Sequence, residues 1–368
     1  MKNTVTEICC GLGGTRAALE AAGFKVIQSI DIDDVACKFH SEFWGDSECK
    51  DITNTPLNEI KKADILSAGF PCQPFSTSGY RTGFLHEQGN VFSSLLQLID
   101  NKKYKAVFLE NVTGLLSNEK GQTFRIILKE LSLRYQHVEW ITLNLTDLGI
   151  PQNRPRVIII GHNQKKHILG DLIDQYYHVE QHDLFGTTLS SNLEEVESRA
   201  ETNERFGIIT DTNDLNLKGT KKDIKFQWDL MEILFKKKIG DFKVYSGRFW
   251  GRTGKTTFYI SENQYSHSIG TSMGAAPTFA IHPEFATDEI KEKIGLISNW
   301  TSIHSDFFVF RLKPGECLKL FGDLAENFSD KIEEFKAPLN QKYKLIGNMF
   351  APDQALPALI ALFRAFND

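Results

Sequence analysis

The sequence predicts an α/β fold built on a mostly parallel sheet, joined to a smaller, irregular and mostly-β unit. Three observations predict it. Early in the chain, short runs rich in Val, Ile and Leu alternate with helical patterns, as in parallel strands joined by helical crossovers. Several of these runs end in glycine or an acid, the residues expected where such a sheet meets a ligand. After about residue 165 the pattern gives way to a polar stretch rich in Asn, Asp, Ser and Thr.

Taken in order, residues 7–10 read as a first strand, followed by a glycine turn and a helix over 15–22. Residues 25–30 form a second strand that ends at acids, and 63–68 a third. Residues 106–109 make a fourth, a helix over 123–133 leads to a strand over 138–145, and 157–161 read as a last buried strand. The stretch to about 305 reads as short strands and loops, weakly β and glycine-punctuated over 245–277. A helical pattern returns from residue 310, and 355–366 is an amphipathic helix expected to dock on the first part. The expected organisation is 1–165, an insert over 166–305, and a returning segment over 306–368. No internal repeat is visible.

The chain has 368 residues, 41% of them hydrophobic, and no apolar run of membrane-spanning length. Its N-terminal residues lack the apolar core of a signal peptide, so a cytoplasmic location is expected. Six cysteines occur with no CxxC and no metal-ligand spacing. The net charge is −5, but residues 236–255 carry seven basic side chains (Lys236, Lys237, Lys238, Lys243, Arg248, Arg252, Lys255) against Asp241 alone. Aromatic and glycine residues interleave with them, so phosphate contact and a solvated lysine face are both open readings.

Gly11-Leu12-Gly13-Gly14 follows the first strand and lets a ligand approach the backbone. It departs from the dinucleotide fingerprint, because Arg16 stands at the third glycine position. Asp31 ends the second strand and can accept from ribose hydroxyls, with Ile32 beside it. Asp33 or Asp34 is expected to cap a helix. Asp51 could bind an amino group while Ile52 covers a ring, or it could be a cap. Gly69-Phe70-Pro71-Cys72-Gln73-Pro74-Phe75-Ser76 holds a cysteine between prolines just past a buried strand. Cys9, Cys10, Cys37, Cys49 and Cys317 read instead as small packed residues. The segment to Gly89 reads as a mobile lid. Glu110-Asn111-Val112 and Gln152-Asn153-Arg154-Pro155-Arg156 lie where a carboxyl and two guanidiniums could converge on the thiol.

In this order, together with Arg311–Glu316 and Tyr343–Asn348, these motifs resemble those of the bacterial DNA (cytosine-5)-methyltransferases. The resemblance covers about the first 165 residues and the last 60, and leaves a variable insert. It implies an S-adenosylmethionine-dependent Rossmann-like methyltransferase sheet with an irregular, mostly-β target-recognition domain. It implies Cys72 as nucleophile, Glu110 at the ring N3 of a flipped cytosine, Arg156 at O2, and Arg154 favouring the thiolate. It implies S-adenosyl-L-methionine held by Cys9, Gly11, Leu12, Gly13, Gly14, Asp31, Ile32, Asp51, Ile52, Gly69, Pro71, Val91 and Asn348. Ser76, Ser78, Lys236, Lys237, Lys238, Arg248, Arg252, Thr271 and Ser272 are expected to contact double-stranded DNA. A monomer in the nucleoid-bearing cytoplasm is expected, with a cognate restriction endonuclease that does not touch it. The sequence departs from the family's pattern at Cys9, where phenylalanine is usual, at Gly315, where an arginine is common, and at Gln88. Three alternatives remain: an RNA substrate, a non-catalytic binding protein, disfavoured by intact Cys72, Glu110 and Arg156, and a dehydrogenase, disfavoured by Arg16.

Overall fold

Runs such as Val157-Ile158-Ile159-Ile160 are apolar at every position, which suits a strand covered on both faces. The computed structural model describes residues 3–71, 91–150, 152–170, 172, 206–208, 244–250, 257–261, 266–269, 278–281, 286–304 and 307–367. Its strands are β1 (Thr4–Ile8), β2 (Lys25–Asp31), β3 (Glu48–Cys49), β4 (Ile65–Gly69), β5 (Ala106–Val112), β6 (His137–Leu143), β7 (Gln152–Asn153), β8 (Arg156–His162), β9 (Phe206–Ile208), β10 (Val244–Trp250), β11 (Thr257–Ser261), β12 (Ser266–His267), β13 (Thr278–Ile281), β14 (Ser298–His304) and β15 (Phe307–Leu312). The main sheet has the order β3-β2-β1-β4-β5-β8-β6-β9. Strands β3 to β5 run parallel, and β8 lies antiparallel between β5 and β6. The five-stranded sheet β11-β10-β13-β15-β14 is formed by the later strands.

Helices α1 (Gly14–Ala21), α2 (Asp34–Trp44), α3 (Val91–Lys102) and α4 (Gln122–Ser132) come from the first part of the chain. Later come α5 (Asp288–Ile297), α6 (Leu339–Asn348) and α7 (Pro352–Asn367). Strand alternation divides the core. Leu66, Val107, Leu109 and Ile159 pack with Leu95 and Leu96 of α3 and Ile127 and Leu131 of α4. On the other face Ile65, Phe108, Ile158 and Ile160 pack with Leu19 of α1 and Leu359 and Leu362 of α7. The stretch Leu339–Asn367 has the length of a membrane span, and an 18-residue window in it has a mean hydropathy of 1.2, although 67% of that window is buried in the protein. It breaks into α6 and α7 at Met349, whose backbone is extended.

The sequence misplaces some boundaries. Residues 310–312 are not helical but end β15, which pairs with β13 and β14. Helix α3 carries no strong pattern and was not expected, and of α2 only the cap at Asp33 or Asp34 was.

At the far end of β6 and β8, Glu139 is fully buried and accepts from His162 Nε2 (2.7 Å), Ile168 N (2.8 Å) and Leu169 N (2.8 Å). Burial raises its carboxyl, but the imidazoles of His162 and His167 and the Leu169 N–H outweigh it and hold the pKa at about 2. His137 lies between the His162 and His167 rings, with centroids 5.1 and 4.9 Å away. Both its ring nitrogens are buried without a hydrogen bond. Burial, then the two neighbouring imidazoles, lower its pKa. His137→Phe should therefore change stability at pH 7 by less than about 1 kcal/mol, since no hydrogen bond is lost. A histidine whose folded pKa is depressed contributes stability above its unfolded pKa and loses it as pH falls through the folded value. The native protein should thus lose more stability than His137→Phe between pH 7 and pH 5. Equal losses in thermal melts would refute this.

Candidate active site

The carboxyl ends of β1, β2, β4 and β5 and the start of β8 meet at one edge of the main sheet. Beyond β1 the backbone turns sharply, with Cys9 at φ 58°, Gly11 at 53° and Gly13 at 96°. Gly14 is required by close approach, because a Cβ there would run into the Phe350 carbonyl oxygen. A Cβ on Gly13 would collide with the Trp44 indole. Asp31 fixes this turn by accepting from Gly11 N at 2.8 Å and Asp33 N at 2.9 Å. Burial raises its carboxyl above the usual range, while the Asp33 and Gly11 N–H groups oppose the rise. Each of its oxygens keeps a further lone pair. Ile32 beside it is 67% exposed, a large apolar side chain that nothing in the described chain covers.

Asp33 is the helix cap, accepting from Val35 N and Ala36 N and pairing with Lys344 at 2.6 Å. Asp51 closes a local turn and caps no helix. Its carboxylate accepts from Thr53 N (2.9 Å), Thr53 Oγ1 (2.7 Å) and Asn54 Nδ2 (2.8 Å), all in its own turn. Ile52 is buried in the core beneath rather than open to a ring. Leu12 is likewise fully buried, against Ala36 and Phe39 of α2, so only its backbone can face a ligand. Val91 opens α3 and packs against the apolar core, Gly69 ends β4, Pro71 is exposed, and Asn348 is exposed at the end of α6. If the turn holds the S-adenosyl-L-methionine expected from the sequence, Asp31→Ala should free the Gly11–Asp33 turn and weaken that binding by about 1–3 kcal/mol, measured by calorimetry. Unchanged affinity would move the contact elsewhere.

Glu110 stands opposite Gly69 on one side and Ile158 on the other. Its Oε1 lies 3.0 Å from Arg156 Nε, and both side chains are about nine-tenths buried. Burial raises the Glu110 pKa; the charges of Arg156 and Arg154 pull against it. Arg156 also donates from Nη1 to the Pro155 carbonyl at 2.9 Å. Asn111, which the sequence reading passed over, donates from Nδ2 to the Phe70 carbonyl at 2.9 Å and accepts from Val112 N. It ties the end of β5 to the segment entering Cys72. Cys72 lies outside the described residues, as do Ser76, Ser78, the lid to Gly89, Lys236, Lys237, Lys238, Arg252, Thr271 and Ser272. Arg248 is placed in β10.

Arg154 is a correction. It is not a pocket residue but is fully buried, with Nη1 donating to Ile269 O (3.0 Å) and Ser268 Oγ (3.2 Å), and Nη2 to Gly347 O and Met349 O (both 2.8 Å). Its guanidinium lies over the Phe321 ring at 4.8 Å. Four oxygens from two distant parts of the chain converge on one cation, a structural use. Gln354, with no local signature in the sequence, completes this joint by donating to Leu143 O and Arg154 O. Gln152 adds a bond to Leu320 O, and β7 pairs with β12.

Comparison with known proteins gives the family. The family model for C-5 cytosine-specific DNA methylases matches residues 3–356. The chain belongs to that family. It is 38% identical over 161 residues to the type II methyltransferase M.BsuFI of Bacillus subtilis, covering 44% of this chain and 39% of that protein. It is 41% identical over 167 residues to M.HpaII of Haemophilus parainfluenzae, covering 44% and 46%. The chain thus spans about half the length, or less, of these curated relatives. The methylase fold is also that of the S. pombe Dnmt2 methyltransferase, at a TM-score of 0.55, 13% identity and 98% coverage of both chains. A Spodoptera frugiperda DNMT2 mutant gives 0.54, 15% and 100%. In this chain Gly315 has a packing reason. A Cβ there would meet Ser329 O at 2.7 Å, whatever side chain the family carries elsewhere.

Proposed function

We propose that the chain is a DNA (cytosine-5)-methyltransferase that uses S-adenosyl-L-methionine. The observation that carries this reading is the buried Glu110–Arg156 pair, set at the strand edge where Asn111 holds the backbone leading into Cys72. The donor fits the turn beyond β1 and β2. A glycine backbone, the remaining lone pairs of Asp31 and the bare Ile32 side chain offer it close approach, hydroxyl acceptors and an apolar cover. When bound, it supplies an electrophilic methyl group.

The chain's residues must make cytosine C5 nucleophilic. Cys72 adds to C6 as a thiolate, and Glu110 supplies a proton or hydrogen bond at N3. Burial keeps the Glu110 carboxyl protonated to higher pH than an exposed one, which suits a donor. Arg156 steadies Glu110 and faces O2. C5 then takes the methyl group, its proton leaves to a base, and the Cys72–C6 bond breaks to regenerate the thiolate. Three of the described cysteines are poorly suited to that role. Burial pushes the Cys9 thiol up to about 12 and raises Cys10 and Cys317 well above the usual range.

C6 is hidden in a duplex, so the target base is flipped out, and the segment after Ser76 closes over it. The proposed division of labour places chemistry in 1–165, target recognition in 166–305 and a returning buttress in 306–368. Lys236, Lys237 and Lys238 hold phosphates; Arg248, Arg252, Thr271 and Ser272 read bases. The enzyme acts as a monomer on cytoplasmic duplex DNA, alongside a restriction endonuclease it does not contact. The test is methyl incorporation from labelled donor into duplex DNA and into transfer RNA. Labelled 5-methylcytosine in DNA is expected; labelling of transfer RNA alone would replace the substrate, and no labelling would overturn the enzyme.

A further inference from the structure

Two thiols flank the turn that presents Asp31. Cys37, in the second turn of α2, donates to the Asp31 carbonyl at 3.4 Å. Cys49 ends β3, stands in register with Asp31, and lies 3.0 Å from Asp34 Oδ1 and 3.8 Å from the Ile32 carbonyl. The two sulfurs thus contact adjacent carbonyls of one backbone segment, Cys37 that of Asp31 and Cys49 that of Ile32. Cys49 is exposed, whereas Cys37 is buried. The sequence read both as packing residues; an exposed thiol paired with a buried one beside a ligand-facing turn does not fit that use.

We propose that Cys37 and Cys49 are a modification site, oxidised by peroxide to a disulfide that weakens methyl-donor binding; its effect on the donor rests on the placement of that ligand at Asp31. The exposed Cys49 sulfur attacks hydrogen peroxide, forming a sulfenic acid and breaking the O–O bond, while its proton leaves with the departing hydroxide as water. The Cys37 sulfur then attacks the sulfenic sulfur and a second water leaves. The balance is two thiols and one peroxide to one disulfide and two waters. The disulfide brings to about 2.05 Å two sulfurs that already sit on neighbouring carbonyls of the Asp31–Ile32 backbone. The closure removes the thiol hydrogens now serving the Asp31 and Ile32 carbonyls, and shifts the turn that aims the Asp31 carboxylate.

The hydrogen bond to Asp34 pushes the Cys49 thiol up to about 12, so little thiolate is present and oxidation is slow. The same property makes the thiols poor leaving groups, so the disulfide persists once formed.

The full chain is treated with hydrogen peroxide, digested without reduction and mapped by mass spectrometry. Affinity for S-adenosyl-L-methionine is measured by calorimetry in parallel. A Cys37–Cys49 crosslink is expected, with an affinity loss of about tenfold, the equivalent of one good hydrogen bond. Dithiothreitol should restore binding, and Cys49→Ser should bind normally before and after peroxide. Absence of the crosslink, a crosslink without affinity loss, or equal sensitivity in Cys49→Ser overturns the proposal. A reduced protein that never binds the donor overturns the cofactor assignment instead, and the disulfide map still reports on the pair.

Discussion

Cys72→Ser should lower methyl transfer to duplex DNA by on the order of a thousandfold or more, because a serine alkoxide is far less accessible at neutral pH than a thiolate. Donor affinity should hardly change, since the turn at Gly11 and Asp31 is built without Cys72. Duplex DNA with 5-fluorocytosine at the target should trap the unmodified protein covalently. The thiol adds and the methyl group arrives, but fluorine cannot leave as a proton does. The serine variant should form no such adduct. Methylation without an adduct, or full activity in Cys72→Ser, would exclude thiolate addition at C6.

The second large effect is on folding. Arg154→Ala should destabilise the protein by about 3–5 kcal/mol, the range for breaking a buried, charge-assisted network. The carbonyls of Ile269, Gly347 and Met349 lose a donor together, and a cavity opens over Phe321. Denaturant melts should show the loss. Arg156→Ala should behave oppositely, with a large drop in turnover and a smaller one in stability. The Glu110 carboxyl it leaves behind already has a raised pKa and can take up a proton rather than remain a buried anion. If Arg154→Ala melted like the native protein yet lost turnover, the guanidinium would belong to the chemistry after all.

The contrast between these arginines shows what a sequence can and cannot disclose. Strands such as β8 were legible because burial on both faces demands an unbroken apolar run. Asp31 was legible as a strand-end acid, and Glu110 through its motif. The roles of Arg154 and Arg156 were not, because they sit two positions apart and their partners do not. Arg156 meets Glu110 across adjacent strands. Arg154 points into the protein, where its partners come from residues 268–269 and 347–349. Asp51 was undecided for a similar reason, since a carboxylate that caps a turn and one that binds an amino group share the same local sequence. The cap of α2 was left between Asp33 and Asp34 because three of the four residues 31–34 are acids, and any of them can accept from a helix's first N–H groups.

The joint at Arg154 also sets a timetable. Its partners Gly347 and Met349 lie 193 and 195 residues further along the chain. At about 5–20 residues per second, synthesis delivers them roughly 10–40 s after Arg154 itself. Until then the guanidinium lacks the Gly347 and Met349 carbonyls, α6 and α7 are missing from the sheet, and Gly14 lacks the Phe350 backbone it packs against. Growing chains should thus carry the Glu110 carboxyl and the Cys72 thiol long before the surrounding frame is closed. On the proposed function, methyl transfer should therefore be withheld from nascent protein, and arrested chains ending before residue 347 should show none.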